Sequence, residues 1–162
     1  MSWLTIYANF RTKVPYCGLN KNNLSIIISE IEKLKLKKNS QIYDLGCGDG
    51  RFLFAIEKKN YKTKGYELSW PHYLKAKLKK ILKKSKAKII RKDFFEINLK
   101  EADLIFIFLV DTIALKLEKK IKKETKKNTI VISYESQLKN LKLIKTINTT
   151  KPSKTYIYTN AS

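Results

Sequence analysis

The stretch that constrains this chain most runs from residue 41 to residue 56. A short apolar run (Ile42, Tyr43, Leu45) breaks into three glycines at alternate positions, Gly46, Gly48 and Gly50. It then resumes as Phe52, Leu53, Phe54, Ala55 and Ile56. Strand, glycine turn and helix in that order predict the first βα unit of a doubly wound α/β sheet. The glycines admit a tight turn with φ > 0 and keep Cβ atoms away from a ligand. Amide groups at the start of the following helix then face whatever sits in the turn.

Spacing narrows the ligand. A dinucleotide site needs G-x-G-x-x-G, and a triphosphate site needs Lys-Ser/Thr after its glycines; neither is present. Here Asp44 stands two residues before Gly46, and about twenty residues further on Glu67 closes the second predicted strand. This D-x-G-x-G-x-G run resembles motif I of the class I S-adenosylmethionine-dependent methyltransferases, whose ligand carries a sulfonium and an ammonium. A carboxylate at Asp44 suits such a cation and would repel a pyrophosphate. The resemblance implies S-adenosylmethionine as cofactor, its product S-adenosylhomocysteine as a second ligand, and no binding of NAD.

The 162 residues read as one domain with an N-terminal arm over residues 1–20, and an apolar content of 43% fits a globular protein. The formal charge of +21 is almost entirely lysine; arginine occurs only at Arg11, Arg51 and Arg91. Lys, Ile and Asn rise together, as an A/T-biased coding sequence would make them. Nucleic acid is therefore a possible partner through the basic surface but not the favoured one. Two cysteines, Cys17 and Cys47, make no disulfide framework, and a single histidine with no Cys/His cluster predicts no metal. The longest apolar run, residues 104–110, has a buried strand's length, and the start lacks a signal peptide's pattern. The expectation is a cytoplasmic protein with no membrane partner.

Along the chain, Asn22 or Asn23 is expected to cap a helix reaching about residue 37. The second strand is expected over residues 64–68, and a helix capped by Ser69 to about residue 84, with Tyr73, Leu74, Leu78, Ile81 and Leu82 as one stripe between solvated lysines. Further strands are read at residues 88–91, 103–109 and 129–134, with a helix at 112–123. Two closing strand-like runs, at residues 141–147 and 155–158, complete the pattern. The expected fold is α/β: a Rossmann-like, seven-stranded, mostly parallel sheet flanked by helices, with a C-terminal antiparallel hairpin.

In so basic a chain the acids are informative. Asp44, Asp49, Glu67, Asp93, Asp111 and Glu135 fall in the glycine turn or at the carboxyl ends of predicted strands, the edge where open α/β sheets bind ligands. Asp103 instead opens strand four and belongs to the far edge. Glu67 is placed to accept from a ribose diol, and Leu68 to pack on a base. Asp93 resembles the methyltransferase acid that accepts from an adenine amino group, with the Phe94 amide beside it; a cap is its other reading. Arg51 can pair with a nearby acid, and Cys47 reads as a small buried filler.

Five segments together carry a narrower resemblance: residues 43–51, residues 65–68, Asp93 to Phe95, residues 102–109 and residues 131–135. With Val14-Pro15-Tyr16 before the first helix, they look like the small protein-lysine methyltransferases, broad-specificity archaeal enzymes and their relatives in bacteria and mitochondria. The chain departs from that pattern after Tyr16 and after Glu135, both on the substrate side. The resemblance puts Tyr43, Asp44, Gly46, Cys47, Gly48, Gly50, Glu67, Leu68, Asp93 and Phe94 on the cofactor. Asp111, Tyr134 and Glu135 are the candidates at the acceptor entrance. Strand four ends in Phe108-Leu109-Val110-Asp111, without the Asn-Pro-Pro-Tyr that base and amide methyltransferases carry. The implied acceptor is a lysine amine on a protein. An RNA or small-molecule methyltransferase and a non-catalytic S-adenosylmethionine-binding protein are the alternative readings.

Overall fold

The structure, a computed structural model, describes residues 19–150 and 152–161. The arm expected before Leu19, with its Val14-Pro15-Tyr16 segment and Cys17, lies outside the described residues. Strand β1 (Gln41–Leu45) is central, flanked in parallel by β2 (Lys62–Tyr66) and, across from it, by β4 (Leu104–Ile107). Strand β3 (Lys88–Ile90) extends one side and β5 (Ile130–Tyr134) the other, both parallel. Strands β6 (Lys142–Asn148) and β7 (Lys154–Thr159) form the antiparallel hairpin, and β7 slots between β5 and β6. The seven-stranded order is β3-β2-β1-β4-β5-β7-β6, the Rossmann-like sheet the sequence predicts.

Both faces of the sheet are buried because the strands are apolar at consecutive positions, which point alternately to the two faces. Ile42, Leu104, Phe106 and Ile132 turn to one face and pack on helices α1 (Lys21–Lys33) and α2 (Arg51–Glu57). Tyr43, Leu45, Ile105, Ile107 and Val131 turn to the other, under Ala114, Leu117 and Ile121. Those three belong to the long helix Asp111–Glu124. The remaining helix, α3 (Trp70–Leu82), lies beside α2 and packs through Ala76 and Tyr73 on Leu53, Phe54 and Ile89; Asp111–Glu124 is therefore α4. As predicted, Asp103 works at the far edge: its carboxylate accepts from the Gln41 amide at 2.8 Å and from Lys126 at 2.9 Å.

Three expectations are corrected. The first helix is capped by Asn20, whose side chain accepts from the Asn23 amide at 2.8 Å. Asn23 is instead buried, donating to the Tyr134 hydroxyl at 2.7 Å and accepting from Thr150. That helix also stops at Lys33, because Lys35 turns to φ 51. The second strand begins and ends two residues early, which leaves Glu67 beyond the ladder; a Cβ at Gly65 would lie 2.2 Å from Leu53 Cδ1, so only glycine lets α2 close on it. The third correction is the largest. The stripe Leu74, Leu78, Ile81 and Leu82 faces solvent, at 46% to 74% exposure, while Ala76 on the opposite side of α3 is fully buried.

Candidate active site

The glycine turn takes the geometry its composition demands. Gly46, Gly48 and Gly50 have φ of 84°, 54° and 78°, a region that L side chains enter at a cost. The Gly46 and Cys47 amides both donate to the Tyr66 carbonyl, at 2.9 and 3.0 Å, tying the turn to the end of β2. A Cβ on Gly46 would stand 3.2 Å from Leu109 Cδ2 and 4.0 Å from Phe94 Cε1. Leu109 and Phe94 thus lie against the turn at Gly46. Gly46→Val is expected to weaken cofactor binding at least about tenfold through strain and this contact. Titration calorimetry with S-adenosylhomocysteine checks it, and an unchanged affinity would count against the turn as the binding element.

Three carboxylates are buried around the turn, each in a different electrostatic condition. Asp44 is 3% exposed, and its carboxylate has no hydrogen bond or ion pair from any described residue. Burial pushes its pKa well above the usual carboxylate range, and the nearby Glu67 and Asp49 push the same way. Glu67, just past β2, is held by two backbone donors, with the Gly48 amide 2.9 Å from Oε2 and the Ser69 amide 2.8 Å from Oε1. The acid expected to meet a ribose therefore also clamps the glycine turn to the start of α3. Each oxygen retains a lone pair for a further donor.

Asp49 is fully buried and paired. Arg51 donates Nε and Nη2 to its two oxygens at 3.0 and 2.9 Å, and Lys79 of α3 reaches Oδ2 at 2.6 Å. Arg51 Nη1 goes on to the Leu19 carbonyl at 2.7 Å. The pairing of Arg51 was legible in the sequence; the Lys79 link across thirty residues was not. Asp49→Ala is expected to lower folding stability by about 2–4 kcal/mol, since it strands two cations that each keep about a third of their surface in water. Urea denaturation read by circular dichroism measures this; a loss below about 0.5 kcal/mol would reduce the cluster to a surface pair.

The other predicted positions divide. Cys47 is buried, and burial with the neighbouring Asp44 raises its thiol pKa well above normal, so it fills space and carries no reactive thiolate. Leu68, next to Glu67 just past β2, is 40% exposed. Asp93 caps the short turn Phe94–Glu96, accepting from the Phe95 amide at 2.8 Å through Oδ1 and leaving Oδ2 available. Asp111 is exposed in the first turn of α4. Glu135 is exposed at φ 69° just past β5, accepting from Ser153 Oγ at 2.7 Å.

Two positions are corrected. Tyr43 points away from the crevice: its hydroxyl meets Lys64 at 3.2 Å and Glu101 at 3.4 Å, toward the amino edge. The alternation that turns Asp44 to one face turns Tyr43 to the other. Tyr134 does not line an entrance, because its ring is 4% exposed, packed on Phe108 and hydrogen-bonded to Asn23 beneath α1. A separate groove of about 1300 Å³ runs between α2, β2 and α3, lined by lysines 58, 62, 79, 83, 84, 86 and 88; Asp44 and Glu67 do not line it.

Comparison with known proteins finds likenesses of sequence and of fold. The ANTKMT methyltransferase domain matches residues 44–145, from Asp44 through the start of the closing hairpin. A protein-lysine N-methyltransferase of Saccharolobus islandicus (strain REY15A) is 29% identical over 131 residues, covering 78% of this chain and 81% of its own length. A lysine N-methyltransferase of Homo sapiens, named for a component of ATP synthase, is 28% identical over 110 residues. That alignment covers 65% of this chain and 46% of the human protein, so the chain spans under half of that relative. Among solved structures, an RNA methyltransferase from Salinibacter ruber, in complex with S-adenosyl-L-homocysteine, superposes with a TM-score of 0.78. It is 19% identical and covers 90% of this chain and 94% of its own, a likeness of fold.

Proposed function

The chain belongs to the ANTKMT methyltransferase domain family, and from that premise we propose that it methylates lysine amines of protein substrates. It is an S-adenosylmethionine-dependent methyltransferase. The observation that carries the cofactor site is the buried Asp44 carboxylate, without a partner among the described residues, beside Glu67 at a turn of three positive-φ glycines. A buried carboxylate without a counter-charge is costly, and a cationic ligand offsets that cost. Asp44 then holds the ammonium, Glu67 accepts from the ribose diol, Asp93 Oδ2 accepts from the adenine amino group, and the Phe94 amide donates to an adenine ring nitrogen. Leu68 and Phe94 supply apolar cover, and Leu109 closes over Gly46.

When bound, the cofactor supplies a methyl group activated by its sulfonium. The chain contributes alignment of that group with an incoming nucleophile, which by itself lowers the barrier substantially. Lysine arrives as a cation and attacks only as a free amine, so its proton must pass to water first. Asp111 and Glu135 are exposed at the carboxyl edge and attract the cation to the crevice. The relatives named for lysine methylation, with the missing Asn-Pro-Pro-Tyr after β4, support the amine over a base. Few cysteines and a buried Cys47 thiol suit a reducing cytoplasmic setting.

Cell extract incubated with methyl-labelled cofactor, after nuclease or protease treatment, tests the acceptor. Label is expected in protein lysines by mass spectrometry, this chain's own exposed lysines included. Asp111→Asn and Glu135→Gln are expected to lower turnover several-fold while leaving cofactor affinity within about twofold. Label confined to RNA or to a small metabolite would overturn the lysine assignment and leave the cofactor assignment standing.

A further inference from the structure

Six of the eight exposed large hydrophobic side chains among the described residues belong to one short segment: Leu68, Trp70, Leu74, Leu78, Ile81 and Leu82. On a helix advancing 100° per residue, the five from Trp70 onward occupy an arc of about 120°. Ala76, fully buried, lies opposite. Helix α3 is thus amphipathic with its apolar side outward over a length of roughly 20 Å. From Leu68 through Lys92 the chain carries nine lysines, Lys92 included, and Arg91, and no acidic residue.

We infer that the outer face of α3 docks on an anionic lipid bilayer. An apolar stripe bordered by lysines on a helix lying flat is what binds the boundary of acyl chains and acidic headgroups, the lysine stems extending along the apolar zone. Trp70, half exposed and stacked on Tyr73 with Arg91 5.0 Å from its ring, sits at one end, where an indole favours headgroup depth. A second copy is a poorer occupant, because an isologous contact would set one lysine border against another. RNA would meet the lysines but gain nothing from four aliphatic side chains. Because α3 begins shortly beyond Glu67, docking brings the lip of the cofactor crevice to the membrane surface. The inference does not depend on which acceptor is methylated.

The chain's two tryptophans are Trp3 and Trp70, so the full chain with Trp3→Phe reports on this face alone. Mixed phosphatidylcholine–phosphatidylglycerol vesicles are expected to float with the protein and shift Trp70 emission to the blue, while pure phosphatidylcholine does neither. Replacing Leu78, Ile81 and Leu82 together with glutamine should weaken vesicle binding by about tenfold or more. All three side chains stand in solvent, so S-adenosylhomocysteine affinity should not change, and that measurement verifies the fold. No binding to anionic vesicles would overturn the inference, as would equal binding by the triple variant. A concentration-dependent dimer abolished by the triple variant would assign the face to a second copy, and an equal blue shift with RNA would assign it to nucleic acid.

Discussion

Glu67→Ala is expected to reduce S-adenosylhomocysteine affinity by about a hundredfold or more, and to lower folding stability by about 2–4 kcal/mol. Two separable losses combine in one carboxylate. The Gly48 and Ser69 amides, 2.9 and 2.8 Å from its oxygens, lose their acceptor in a buried place. Each unsatisfied buried donor costs about 1–3 kcal/mol, moderated here where water enters the crevice. The ribose diol loses a charged acceptor as well. Glu67→Gln separates the two, since its carbonyl oxygen serves one amide while its NH₂ group faces the other. Its stability should fall between the two and its affinity near the alanine variant's. Calorimetry with urea unfolding measures both; wild-type affinity in Glu67→Ala would remove this residue from the site.

Asp44→Asn should act with opposite signs on stability and on binding. The cofactor-free chain is expected to become more stable at neutral pH, while cofactor affinity falls by about a hundredfold, on the order of one charge-assisted contact. The sign on stability follows from linkage. The unfolded carboxyl loses its proton near the usual carboxylate pKa of about 3.9, whereas burial and the adjacent Glu67 and Asp49 keep the folded one protonated to higher pH. Stability therefore falls as pH rises from the unfolded value through the folded one, and the deficit persists above it. Asn carries no such deficit, so the two chains should converge as pH drops toward about 4. Equal or lower stability of the variant at neutral pH would show that Asp44 is compensated in the free protein.

The mostly parallel sheet, its closing hairpin and the acids at its carboxyl edge were readable because they rest on local rules. Three glycines demand positive φ, an acid before a strand pins the far edge, and continuous apolar runs mark strands buried on both faces. The misreadings share one cause, a local rule overruled by a distant partner. Asn22 and Asn23 are good caps on paper, yet Asn20 takes the role, and Tyr134, over a hundred residues away, claims Asn23. Tyr43 and Tyr134 sit at motif positions, yet strand alternation sends both hydroxyls elsewhere. The α3 stripe has helical periodicity, and periodicity reveals that a face exists, not which medium it meets. Glu67's hold on the glycine turn carries no sequence signal, because its donors are backbone amides.

The placement of β7 between β5 and β6 bears on how the chain assembles during synthesis. The sheet's last strand in chain order is an interior strand, pairing Ile130–Tyr134 on one side and Lys142–Asn148 on the other. Until residues 154–159 emerge, β5 presents a free edge of buried-strand composition, and β6 has no neighbour to join. Nascent chains therefore pass through a stage in which an apolar edge is open to pairing with other chains. The hairpin's short connection keeps the interval brief, because β6 and β7 close on each other locally before they dock. A chain ending at residue 150 is expected to reach the parallel half of the sheet and then aggregate, which size-exclusion chromatography of that truncation would reveal.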